Sequence, residues 1–181
     1  MPDLPQRVIL TGGPGSGKST LAEALSARGY RCSAEAGRAI IQDQVSIGGT
    51  ALPWGDRQAF AELMLCWEIR SWRATVGGEL CFFDRGLPDI AGYLNLCGLP
   101  APAHLAAAIG AFRYADTVFI APPWRAIYAH DNERKQSFEE AERTFLAMVA
   151  AYRQYGYRLL TLPRASPDER ADFVLAALAR A

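Results

Sequence analysis

The sequence carries no excess of charge of either sign: Lys and Arg together number 19, as do Asp and Glu, over 181 residues. That balance leaves no field to drive salt-dependent binding to nucleic acid or to an anionic membrane, so any positive charge that matters must be local. Neither kind of partner is expected. Histidine is scarce, with only His104 and His130, too few and too widely placed for a metal or catalytic cluster. The four cysteines, Cys32, Cys66, Cys81 and Cys97, form no CxxC pair and lie mostly in apolar segments, where a free thiol packs as a small hydrophobe. Their spacing argues against a zinc site or a disulfide framework. No apolar run reaches the roughly 18 residues that a membrane helix needs, and Met1 to Arg7 lacks the apolar stretch of a signal peptide. A soluble, cytoplasmic protein is the expectation. Internal repeats and low-complexity segments are also missing, so a domain boundary has nowhere to sit and residues 1–181 are read as one domain.

Half of the residues are hydrophobic, enough for a single sizeable core. The apolar run Val8 to Leu10 predicts a strand, and Lys18 to Arg28 carries Leu21, Ala22 and Leu25 at helical spacing before Gly29. A second strand is expected over Tyr30 to Ala34, then a helical segment opened by Glu35 and a loose stretch from Val45 to Pro53 around Gly48 and Gly49. Asp56 can cap a helix to about Arg73, with Phe60, Leu63, Met64 and Trp67 read as one core-facing stripe. Leu80 to Phe83 is wholly apolar, as suits a strand buried on both faces of a parallel sheet. Helices are expected around Asp89 to Leu96 and Ala103 to Phe112, with further strands at Thr117 to Ala121 and Tyr157 to Leu162. Capping boxes at Ser137 with Glu140 and at Ser166 with Glu169 open two more helices. The alternation implies an α/β fold, a five-stranded parallel sheet with helices on both faces and ligands at the carboxyl ends of the strands.

The segment after the first strand, Gly12-Gly13-Pro14-Gly15-Ser16-Gly17-Lys18-Ser19-Thr20, is a complete phosphate-binding loop in its proper strand-to-helix setting. Its glycines let successive N–H groups turn inward onto phosphate oxygens, and the following helix adds its positive end. Lys18 suits the β and γ phosphates of ATP, and the Ser19 hydroxyl suits Mg²⁺. Gly12, Gly13, Gly15, Ser16, Gly17, Lys18, Ser19 and Thr20 are therefore the nucleotide-binding candidates. Asp84 follows four apolar residues, which is how a magnesium-organising carboxylate is delivered beside such a loop; a strand-end cap or an ion pair with Arg85 is the plain alternative. Arg85 can bind a phosphate or substrate oxygen through its rigid fork of donors, or hold Asp84 or Glu35 in place. Glu35, after the second strand, can take the proton of an attacking hydroxyl, bind a substrate hydroxyl, or cap the next helix. The cluster His130 to Gln136 bunches charge ahead of a capped helix, which suggests a lid over 122–137.

With those residues in hand, the chain resembles a family of small AAA-labelled predicted ATPases built like nucleoside and nucleotide kinases, including the ribosylnicotinamide kinase domain. The likeness runs through the phosphate loop, Glu35-Ala36-Gly37-Arg38, Phe83 to Asp89 and Tyr128 to Ser137. Asp84-Arg85-Gly86 looks like the acidic-Arg-Ser string of deoxynucleoside kinases, with Gly86 in place of serine, and Ala36 stands where those kinases have proline. The resemblance implies Glu35 as base, Asp84 and Arg85 serving magnesium and phosphate, and Arg134 with Lys135 as lid cations.

The expectation is a Mg²⁺-dependent, ATP-binding P-loop NTPase of nucleoside-kinase type that phosphorylates a hydroxyl of an unidentified small molecule. The rival is a nucleotide-dependent switch or ATPase with a protein partner, its mobile element being the Val45 to Trp54 loop or the lid. The Asn-Lys-x-Asp signature for guanine is absent, so adenine is the better expectation, and the Pro163 to Pro167 loop after the fifth strand could sit near it.

Overall fold

Five segments pair as parallel strands, in the spatial order β2-β3-β1-β4-β5. They are β1 (Arg7–Gly12), β2 (Arg31–Ser33), β3 (Cys81–Asp84), β4 (Thr117–Ala121) and β5 (Arg158–Thr161), joined by α1 (Lys18–Ala27), α2 (Ala36–Ile47), α3 (Arg57–Ala74), α4 (Leu87–Leu96), α5 (Ala103–Ala111) and α6 (Phe138–Gln154), with α7 (Pro167–Leu178) last. The computed structural model describes residues 7–75, 78–128 and 137–180.

β1, β3 and β4 are buried along almost their whole length, and Val8 to Leu10, Cys81 to Phe83 and Val118 to Ala121 are apolar because both faces are covered there. Val8, Leu10, Phe82 and Phe119 pack against Leu21 and Leu25 of α1 and Ala171 and Val174 of α7. Ile9, Phe83, Val118 and Ile120 point the other way, into a larger cluster with Leu65, Leu87, Ile90, Leu105, Met148 and Tyr152 from α3 to α6. Alternate residues of one strand thus feed two separate core layers. The central strand β1 has β3 on one side and β4 on the other, so the chain leaves it in opposite directions and a crevice opens at its carboxyl end.

Three expectations need correction. The stretch from Val45 is not loose: α2 runs to Ile47, and Gly48 closes it with φ 66°, its amide and that of Gly49 returning to Val45 and Gln44 carbonyls. The Phe60, Leu63, Met64, Trp67 stripe is only partly core: Phe60 is buried with Ala36 and Ile40, and Met64 and Trp67 pack against that cluster half-buried. Leu63 is exposed, and the buried positions of α3 are Phe60, Ala61, Leu65 and Glu68. Cys66 is exposed too, whereas Cys81 is buried and Cys32 and Cys97 are half-buried. Boundaries shift elsewhere by a residue or two; α4, for instance, begins at Leu87 because Asp89 accepts the Gly86 amide at 2.9 Å and closes its first turn.

Candidate functional site

The loop between β1 and α1 curls back over the start of the helix. Gly17 occupies the helix N-cap with φ 81°, offers no side-chain cap, and leaves the first turn without an acidic residue. The open amides and the helix dipole therefore face the same space. Lys18 is buried; its Nζ donates to the Gly13 carbonyl at 2.9 Å and approaches Ser16 Oγ at 3.5 Å. Burial first, then the neighbouring Arg85, holds its ammonium down at about 8, with Asp84, Glu35 and Asp89 pulling the other way. Ser19 and Thr20 lie exposed on the first turn, and the Thr20 hydroxyl donates to the Gly17 carbonyl.

Asp84 ends β3 in register with Leu10 of β1. It is buried, and its Oδ1 has no hydrogen-bond partner. Burial pushes its carboxyl up, against the pull of Lys18 and Arg85. An orphaned carboxylate oxygen at the end of a strand beside a phosphate loop fits a hard divalent cation. Asp84 and Ser19 are the two residues here that could hold Mg²⁺, and no group of three or more acidic, His or Cys side chains able to hold a metal occurs among the described residues.

Arg85 has φ 77°, the only non-glycine positive φ among the described residues, a conformation that costs roughly 1–3 kcal/mol and survives where neighbours enforce it. Here its amide donates to the Leu10 carbonyl at 2.9 Å and its guanidinium to the Gly12 carbonyl at 3.1 Å. The same guanidinium lies 3.7 Å from Glu35 Oε1 and 3.5 Å from Asp89 Oδ1. One side chain thus gathers the ends of β1, β2 and β3. Glu35 is the N-cap residue of α2, but its side chain makes no cap hydrogen bond; it turns to Arg85 instead. Arg85 pairs with Glu35 and Asp89 rather than with Asp84. A Cβ at Gly86 would lie 2.5 Å from Ile9 Cδ1 and 3.2 Å from Tyr114 Cζ, which accounts for glycine where serine was the analogy.

A cleft of about 1590 Å³ runs from the loop, past Glu35 and Arg85, into the space between α2, α3 and α4. Arg38, Trp54 and Tyr93 all line it, as do Trp124, Ile127 and the Ala165 to Pro167 turn at its other end. Of the lid expected at 122–137, Pro122 to Tyr128 and Ser137 are described, and the Tyr128 ring stands over Gly15, where a Cβ would be 2.6 Å from its Cδ2. Arg134 and Lys135 lie outside the described residues.

Two site residues were missed in the sequence. Asp89, buried on α4, accepts from the Thr11 hydroxyl at 2.5 Å, from the Gly86 amide, from the Tyr152 hydroxyl and from Arg85. Arg170, read only as part of a capped helix, is buried beneath the phosphate loop, donating to the Ser16 and Pro163 carbonyls at 2.8 Å each. The Arg-Gly-Leu-Pro-Asp string gave Asp89 a position but no function; nothing local marks Arg170.

The AAA-domain family matches residues 7–170. The chain belongs to that family. No curated protein matches the sequence. Among solved structures, a deoxyadenosine kinase from M. mycoides bound to dCMP and dCDP is 15% identical, with TM-score 0.67 over 97% of this chain and 99% of its own. The NadR protein in complex with NR is 15% identical at TM-score 0.69, covering 97% of this chain but 51% of NadR, so this AAA-family chain spans about half that protein's length. A shikimate kinase from Acinetobacter baumannii with shikimate is 12% identical at TM-score 0.59, over 98% and 95% of the two chains. Together they fix the fold as that of the P-loop kinases.

Proposed function

We propose that this AAA-family chain is a small-molecule kinase that moves the γ-phosphoryl group of ATP to a hydroxyl of a nucleoside-like acceptor, within a single domain that uses 122–137 as its lid. The observation that carries the reading is the extent of the cleft: past Glu35 and Arg85 it continues along Arg38, Phe60, Met64 and Tyr93, which leaves a place for a second small molecule beside the nucleotide.

In this reading the loop amides and Lys18 hold the β and γ phosphates, while Arg85 offsets charge on the transferring group. Asp84 and Ser19 would hold Mg²⁺, which when bound neutralises charge on the β and γ oxygens. Glu35 accepts the proton of the attacking hydroxyl, and its contact with Arg85 at 3.7 Å holds the carboxylate in place. Arg134 and Lys135 add charge from the lid. Trp124 and the Ala165 to Pro167 turn form the adenine end. The kinases among the structural neighbours support phosphotransfer over simple hydrolysis.

Exposed Val45, Ile47 and Trp54 favour a second reading, a nucleotide-dependent switch whose partner docks there. The two part on one assay, ADP release from Mg-ATP with and without nucleosides, nicotinamide riboside and nucleoside monophosphates, with Lys18→Ala as the blank. Acceptor-stimulated release supports the kinase; acceptor-independent release supports the switch.

A further inference from the structure

The charged groups along the cleft pair off on its phosphate side and not beyond it. Lys18 is under the pull of Asp84, Glu35 and Asp89, and Arg85 lies between Glu35 at 3.7 Å and Asp89 at 3.5 Å. Arg143 is 3.9 Å from Glu140, and Arg170 donates to the Ser16 and Pro163 carbonyls. Two cations of the lining remain, Arg38 on α2 and Arg57 at the start of α3. Neither takes part in an ion pair among the described residues. Arg57 Nε donates to the Pro53 carbonyl at 3.0 Å, which fixes the base of its fork and leaves the terminal nitrogens for another partner. Its charge acts on the Tyr93 hydroxyl, and the Tyr93 ring meets Phe60 edge to face at 5.6 Å, so Arg57 stands beside the apolar walls of the far cleft. Glu68 on the same walls is buried with its Oε2 unpaired. The charges that act on it are Asp89, Asp84 and Arg85, so it neutralises neither arginine.

We infer that the acceptor is an anion: besides its reacting hydroxyl it carries a carboxylate or a phosphate group, which the guanidiniums of Arg38 and Arg57 hold in the cleft beyond Glu35. The assignment rests on the kinase reading, because it takes that end of the cleft as the acceptor's place. Glu35 is the N-cap of α2 and Arg38 follows three residues on, the two positions whose side chains share one face of a helix's first turn. The acceptor is thereby held at two points, its hydroxyl at Glu35 and its anionic group at Arg38, with Arg57 reaching that group from α3. A carboxylate or phosphate suits a planar fork, which can grip it with two parallel N–H donors. The two cations also offset the repulsion that such a group meets from Glu35, Asp84 and Asp89. A neutral nucleoside enters the same cleft without that hold and is the weaker acceptor.

The test is calorimetric titration of the full chain, its phosphate loop already filled with Mg²⁺ and a non-hydrolysable ATP analogue. The probes are inorganic phosphate and two matched pairs, adenosine 5′-monophosphate against adenosine and shikimate against its methyl ester. The parent is compared with Arg38→Gln, Arg57→Gln and Arg57→Lys. Inorganic phosphate should bind the parent, and one charged member should bind at least about tenfold tighter than its neutral partner. Which pair shows this tells a phosphate from a carboxylate. Each Gln variant should lose at least about tenfold for phosphate and for that charged member, with the neutral partner unaffected. Arg57→Lys keeps the charge but not the fork and should fall between. In turnover the same substitutions should raise the KM of the charged acceptor and leave kcat within about threefold. Affinity for the ATP analogue and the ligand-free Tm should match the parent's in every variant. No phosphate binding, no preference for either charged member, or equal binding by the Gln variants overturns the assignment. So does a fall in Tm with the ATP analogue weakened as well, which marks the two arginines as packing residues. Phosphate held by Arg38 and Arg57 without phosphoryl transfer to any acceptor would sink the kinase reading and keep the anion site. Adenosine phosphorylated as efficiently as either charged acceptor, whatever stands at positions 38 and 57, would do the reverse.

Discussion

Arg170 Nη1 donates to the Ser16 carbonyl at 2.8 Å, tying α7 to the tip of the phosphate loop across 154 positions of sequence. Its Nε holds the Pro163 carbonyl and its guanidinium lies 5.0 Å from the centre of the Trp124 ring, so one side chain braces the loop and the far end of the cleft. Arg170→Leu should destabilise the fold by about 2–3 kcal/mol, since two carbonyls lose charge-assisted donors. It should also raise the KM for Mg-ATP more than it lowers kcat. Urea unfolding with steady-state kinetics checks both, and a KM equal to the parent's would reduce Arg170 to a packing role.

Asp89 is the acceptor on which four donors converge. Asp89→Ala strands the Thr11 and Tyr152 hydroxyls and the Gly86 amide, and takes from Arg85 one of its two carboxylates. A loss of about 3–5 kcal/mol in unfolding free energy is expected, as for breaking a buried charged network. A loss under about 1 kcal/mol would mean that water replaces Asp89 without penalty.

The strings Gly12 to Thr20 and Phe83 to Asp89, and the single Glu35, were legible as neighbours in one cleft because their signals are local: a loop that needs glycine, and carboxylates at strand ends. Asp89 as a hub, Glu68 as an unpaired carboxyl and Arg170 as a brace were not, because each depends on which distant segment packs over it. The α3 stripe misled for a related reason. That helix packs against α4 on one side and α2 on the other and also lines the cleft, so its periodicity reports several faces at once. Val45 to Ile47 looked like loop because Gly48 and Gly49 follow, yet Gly48 is the cap that ends a helix rather than the start of disorder.

Lys18 sets a pH signature. Its folded pKa of about 8 lies below the unfolded value of 10.5, so between those values the unfolded chain holds a proton that the folded one has lost. This group therefore makes ligand-free stability rise as pH climbs through that window. Phosphate binding needs the ammonium, so Mg-ATP affinity should be flat below about pH 7 and weaken up to about tenfold per pH unit above pH 8. Lys18→Met should abolish both slopes, measured by thermal unfolding and by nucleotide titration across pH. An affinity that stays constant through pH 9 would contradict the buried ammonium.

Glu35→Gln keeps the shape of the side chain but not its basicity. Acceptor phosphorylation should fall by about 10²–10⁴ in kcat, with Mg-ATP binding nearly unchanged. Unaltered turnover would remove Glu35 as the base.

In a small-molecule kinase the γ-phosphoryl group ends on the acceptor rather than on water. The direct measurement is to incubate the full chain with Mg²⁺, γ-labelled ATP and, separately, cytidine, adenosine and nicotinamide riboside, and then to separate the products. Label should appear in a phosphorylated acceptor with matching ADP, and not with Lys18→Ala. Label found only in inorganic phosphate, at a rate indifferent to every acceptor, would contradict the kinase reading.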